Sequence, residues 1–121
     1  MEPQTCVAAG ERLNKLVAVH VMKWTPKIQG HAKVTGWYDE NERRKNRRYK
    51  GLELPEWAWS ITHAMKLLEG RCFYLWTCDE GYGCEIYSAP EKGSDLLGVS
   101  HGFILPAVIC QAVVAAEMEN L

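Results

Sequence analysis

Apolar residues recur along this chain in two rhythms, one helical and one alternating. Between Gly10 and Thr25, the residues Leu13, Leu16, Val17, His20, Val21 and Trp24 fall at helical spacing, with Arg12, Asn14, Lys15 and Lys23 on the other side. The pattern predicts an amphipathic helix that Pro26 ends, because the residue before a proline is pushed out of the helical region. His20 lies inside the stripe and reads as a packed, hydrogen-bonded histidine. Lys33 to Asp39 carries β-formers and reads as a strand, with Val34 and Tyr38 on one face and Trp37 on the other. A second helix is expected from Leu54-Pro55-Glu56, its stripe made by Trp57, Ile61, Ala64 and Leu68 and its end marked by Gly70. Trp59 and His63, four apart on its flank, are within reach of one another.

The strongest strand signal is Arg71 to Cys78, where both alternating faces are apolar: Cys72, Tyr74 and Trp76 on one, Phe73 and Leu75 on the other. Such a strand is expected to be central, or else covered on one face by the chain and on the other by a second copy. Asp79 to Gly83 reads as a turn, Cys84 to Tyr87 as the return strand, and Leu96 to Ser100 as one more short strand. From Phe103 to Ala116 no residue is charged. That run is too short for the roughly 20 residues of a membrane span and suits a buried helix beginning near Pro106. Ile109, Ala112, Val113 and Ala116 form its inner stripe, while Val108 and Val114 lie off it, so more than one face is expected to be covered. Glu117 and Glu119 oppose the helix dipole, which predicts a frayed end. The fold class that follows is α+β, with three helices packed on a mainly antiparallel sheet of three or four strands, an αββα-type sandwich. Residues 1–9 are expected to be a flexible N-terminus and 10–121 a single domain. The surplus of apolar surface predicts a homo-oligomer, a dimer or a dimer of dimers.

Composition adds one feature. Hydrophobic residues make up 47% and charged residues 24% of the 121, which excludes a wholly disordered chain. The net charge of -1 conceals a strong asymmetry. Six of the 14 basic residues fall in Arg43-Arg44-Lys45-Asn46-Arg47-Arg48-Tyr49-Lys50, a segment with nothing apolar to bury, and the remainder of the chain carries a balance of -7. The molecule is a cationic loop on an acidic body. Arginine presents planar, paired donors that match phosphate. Arg43, Arg44, Arg47 and Arg48, with Lys45 and Lys50, are therefore the candidate phosphate contacts, and Tyr49, Trp37 and Trp59 are the candidate stacking faces for an attached base. The acidic body argues against a nucleic-acid module, which is usually basic over a whole face. A solvated loop, or an acidic protein partner, is the competing reading of the same charge run.

Candidate chemistry is sparse. The chain has no G-x-G-x-x-G, no G-x-x-x-x-G-K-[ST] and no H-E-x-x-H, and Asp79-Glu80 reads as a solvated turn pair. No catalytic residues, no metal ligands and no cofactor are expected. The five cysteines, an odd number, do not make a complete disulfide framework, and Cys72, Cys78 and Cys84 lack the close pairing of zinc ligands. The N-terminus lacks the basic-then-apolar pattern of a signal peptide, and a reduced cytoplasmic setting is expected.

Three segments together resemble the small bacteriophage proteins of the phage ABA sandwich domain family. Leu13-Asn14-Lys15-Leu16-Val17-Ala18 leading to Val21-Met22-Lys23-Trp24 is similar to the family's opening helix and closing tryptophan. Phe73-Tyr74-Leu75-Trp76 followed by Gly83-Cys84-Glu85-Ile86 resembles its hairpin, and Leu105-Pro106-Ala107-Val108-Ile109-Cys110-Gln111-Ala112 its closing helix. Ala58-Trp59-Ser60 departs from the small polar residues expected at the start of the middle helix, and the basic run lies outside the resemblance. The resemblance implies a sandwich of helices and sheet, a phage or prophage origin and residence in the host cytoplasm; it carries over no active-site residues. By analogy with phage proteins that sequester a host immune signal, the expected function is non-enzymatic binding of a phosphate-bearing small molecule such as a nucleotide. A module that blocks a host protein through exposed aromatics is the alternative.

Overall fold

The computed structural model describes residues 3–30, 33–39, 48–51 and 53–119. The chain is α+β, and its strands form two antiparallel sheets rather than the single sheet expected. The first helix, α1, spans Pro3–Leu16 and so begins before Gly10. It continues into a π-helical turn, Val17–Val21, closed by the Met22 N–H donating to the Val17 carbonyl at 2.9 Å. The wider turn changes which residues face inward: Leu13, Asn14, Val17 and Ala18 are buried, Val19 is exposed and His20 is half-buried. His20 is thus less enclosed than the packed histidine expected, because the π-turn changes the angular spacing of this stretch. Lys23, at φ 61°, then reverses the chain.

Trp24 does not close the helix; it opens β1, Trp24–Gln29. β1 pairs antiparallel with β2, Lys33–Asp39, which pairs with β3, Arg48–Gly51. Pro26 is accommodated because β1 is an edge strand. The register shifts where Lys27 faces Gly36 but Ile28 faces Val34, leaving Thr35 as an extra residue whose hydroxyl donates to the Lys27 carbonyl at 3.2 Å. One extra residue inverts the alternation of faces. Val34 and Trp37 therefore both turn toward the core, against the expectation that they point apart, and Trp37 is only 3% exposed.

The middle helix is shorter than its sequence suggests. Glu56 to Trp59 is a turn, with the Ser60 N–H donating to the Glu56 carbonyl at 2.8 Å, and α2 covers only Ile61–Lys66. Ser60 caps it by accepting from the His63 N–H at 3.3 Å. Trp57, Ala64, Leu67 and Leu68 are buried but Ile61 and Met65 face outward. Gly70, at φ 75°, ends the segment as anticipated.

The second sheet is built from β4 (Cys72–Cys78), β5 (Gly81–Tyr87) and β6 (Leu96–Gly102) in that order, so β4 is an edge strand, not a central one. Its two apolar faces have different fates. Leu75 turns toward the core, whereas Tyr74 lies 59% exposed on the sheet's outer face. The last helix, α3 (Leu105–Glu119), lies on the inner face of β5 and β6 and is met from its other side by α1, the π-turn and α2. The first sheet joins this stack through β1 and the π-turn. Val108, Ile109, Cys110, Ala112, Val113, Val114 and Ala116 are all buried, as the charge-free run anticipated, and the covering comes from this chain itself. The helix end is held rather than frayed: Glu117 receives Arg71 at 2.7 Å and Lys23 at 3.8 Å. Among the described residues no helix is long and apolar enough to cross a membrane.

Candidate ligand cleft

Gly10, in the middle of α1, is buried because the Trp59 indole lies flat against it; a Cβ there would fall inside the ring. One turn further on, Asn14 is buried and its Oδ1 accepts from the Ala58 N–H at 2.8 Å. These two contacts fasten the 56–60 turn to α1. Between them and β2 opens a cleft of about 560 Å³ lined by Glu11, Asn14, Lys15, Val34, Trp37, Glu53, Leu54, Glu56 and Trp59. Trp37 forms its floor and Trp59, 41% exposed, its lip. Three carboxylates and a single ammonium group make the walls acidic. Carboxylates in such a setting accept hydrogen bonds from amino and ring N–H groups and attract cations; they repel bare phosphate.

Trp37 and Trp59, read separately from the sequence, meet in this one cleft. Trp59 rests on Gly10 of α1. Arg48, Tyr49 and Lys50 belong to β3, where Arg48 pairs with Asp39 and Tyr49 with Tyr38 in the ladder. Arg43, Arg44, Lys45 and Arg47 lie outside the described residues, in the connection from β2 to β3. Glu11, Glu53, Glu56 and Asn14 were not singled out from the sequence. Asn14, placed there on the polar side of α1, is the one with a legible signal, since it sits between Leu13 and the buried pair Val17 and Ala18.

A second hollow, about 470 Å³, lies where the 88–94 loop meets β4 and β5, with Cys72, Tyr74, Glu85 and Tyr87 on its wall. There the Tyr87 hydroxyl donates to the Glu85 carboxylate. That bond, with some burial and the negative charge of Glu85, holds the phenol's pKa above its usual 10.0.

Gly98-Val99-Ser100-His101-Gly102 spells G-x-S-x-G. Its structural context is not that of a nucleophile. The segment is strand β6, not a strand-to-helix turn. Ser100 faces α3 and donates to Gln111 Oε1 at 2.6 Å, while His101 faces the opposite side of the sheet, where its ring stacks on Trp76. The glycines serve packing: a Cβ on Gly98 would strike the backbone of α3 at Ala112 and Ala116, and one on Gly102 would come within 3.2 Å of Val108.

Cys84 and Cys110 are core thiols. Burial, aided by the charge of Glu85, raises Cys84 to about 11; burial, opposed by a backbone hydrogen bond, raises Cys110 to about 12. Both stay protonated near neutrality, which makes them poor ligands and poor nucleophiles. No group of three potential metal ligands occurs among the described residues. Protein-family models, curated proteins and solved structures yield no match to this chain.

Proposed function

We propose that this chain is a non-enzymatic binding protein for a nucleotide-like small molecule, with the base in the cleft and the phosphates on the basic β2–β3 connection. The observation that carries this reading is the meeting of Trp37 and Trp59 in one acidic cleft. A base stacked on an exposed indole contributes about 1–3 kcal/mol, and its amino and ring N–H edge finds acceptors in Glu11, Glu53 and Glu56. The volume accommodates a nucleobase with its sugar. Opposite charges at two positions suit a ligand that is a hydrogen-bond donor at one end and an anion at the other. β2 and β3 supply the link, since Trp37 pairs with Gly51 at the cleft while the connection between these strands carries the arginines. Sequestration of a nucleotide signal by a phage protein in the host cytoplasm is the biological form of this proposal; it rests on the family resemblance.

Calorimetric titration of mono-, di- and cyclic nucleotides tests the reading. Trp59→Ala is expected to abolish stacking and weaken binding at least tenfold, and Arg47→Ala with Arg48→Ala to weaken it while leaving stability unchanged. No heat with any nucleotide would remove the proposal and leave the basic segment as a solvated loop or a protein contact.

A further inference from the structure

We infer that β4 is a self-complementary dimerisation edge, through which two copies of this chain join their second sheets into one six-stranded sheet. Among the described residues β5 is the strand that pairs with β4, and the other edge of β4 pairs with none. The other edges of the two sheets carry features that discourage pairing. β1 has Pro26, Lys27 and a register shift; β3 is short, with Arg48, Lys50 and a shift; β6 contains two glycines and pairs through a shifted register. β4 has none of these: Cys72 to Cys78 is uncharged, proline-free and in unbroken register with β5.

The pairing follows from the ladder. Cys78 and Gly81 close the hairpin turn as a hydrogen-bonded pair, so alternation directs the N–H and C=O of Cys72, Tyr74 and Trp76 toward β5. Those of Phe73, Leu75 and Thr77 point to the open edge. An antiparallel partner centred on Leu75 is the only symmetric arrangement that engages all seven residues. Leu75 then faces Leu75 of the second copy, Phe73 faces Thr77, Tyr74 faces Trp76, and Cys72 faces Cys78. The strand has a thiol at each end and an aromatic on each side of the central Leu75, a near-symmetric pattern that suits a two-fold interface. The last two pairs occupy the close, non-hydrogen-bonded positions, where Cα atoms lie about 4.5 Å apart, within disulfide range. Pairing also shelters the exposed ring of Tyr74 against an aromatic neighbour. This inference is independent of the cleft.

Mild copper–phenanthroline oxidation of protein carrying Cys6→Ser tests it. Cross-linked dimer is expected from this background, and much less from Cys72→Ser or Cys78→Ser alone. A mixture of the two variants should recover the cross-link, because each supplies the thiol the other lacks. Cross-linking that survives in either single variant, or that the mixture fails to restore, overturns the register. In the reduced protein, light scattering should give twice 13.7 kDa, falling to 13.7 kDa for Thr77→Pro, which removes an open-edge donor, and for Tyr74→Lys. A reduced wild-type monomer, or a dimer indifferent to both substitutions, overturns the interface itself.

Discussion

Trp76 and His101 stack with their ring centroids 5.6 Å apart and their planes at 23°, although a whole strand lies between them. The contact exists because the residue between them in the ladder is Gly83, paired with both. The indole lies across Gly83, and a Cβ there would occupy the ring's place. Gly83→Ala is therefore expected to expel Trp76, break the stack and cost about 1–3 kcal/mol. Denaturant unfolding followed by tryptophan emission checks both effects, since the expelled indole moves into water.

Gly98 and Gly10 should respond differently to the same substitution. At Gly98 the obstacle is the backbone of α3, which cannot swing aside, so Gly98→Ala is expected to lower stability by about 3 kcal/mol. At Gly10 the obstacle is the half-exposed Trp59 ring, and alanine also raises helix propensity by about 1 kcal/mol. Gly10→Ala should thus be close to neutral in thermal stability while it displaces the cleft lip and weakens ligand binding.

Asn14→Ala leaves the buried Ala58 N–H without its acceptor. A loss of about 1–3 kcal/mol is expected, measured by urea midpoint, with faster hydrogen exchange at Ala58.

The thiols give the molecule a stability that depends on pH on the alkaline side. Cys84 and Cys110 titrate near 11 and near 12 when folded, against 9.0 when unfolded, so the unfolded state loses those protons first. Their contribution is complete below pH 9.0 and is lost as pH rises through the folded values. The urea midpoint should fall above pH 9.0, and Cys110→Ala should flatten that fall. In the native protein at neutral pH a thiol reagent should label the exposed Cys78 quickly and leave Cys84 and Cys110 untouched until unfolding.

Where periodicity alone determines the outcome, the sequence was readable. β2 starts and stops at Lys33 and Asp39 as expected, Gly70 ends its turn, and the charge-free α3 is buried on several sides. Two local irregularities defeated the rest of that reading. The π-turn at Val17–Val21 buries Val17 and Ala18 and leaves His20 half-buried, and the extra residue at Thr35 brings Trp37 to the side of Val34. Neither leaves a mark in the alternation of apolar and polar residues. The edge position of β4 was illegible for another reason: an apolar strand destined for a partner and one destined for the middle of a sheet have the same composition. The cleft required knowledge of tertiary placement, since Gly10, Trp37 and Trp59 come from three separate elements.

The Trp24 and Trp57 rings sit 5.6 Å apart and inclined at 52°, the first on β1 and the second on the turn before α2. Two indoles at that separation and tilt share their electronic excitation, and the coupled pair rotates polarised light in a paired band of opposite signs. Such an optical couplet is present only while both rings are held in place. It offers a signal, separable from that of Trp59 and Trp76, that reports whether the first sheet is seated on the rest of the molecule. Its disappearance ahead of the far-ultraviolet helical signal during heating would mark that seating as the first part of the structure to release.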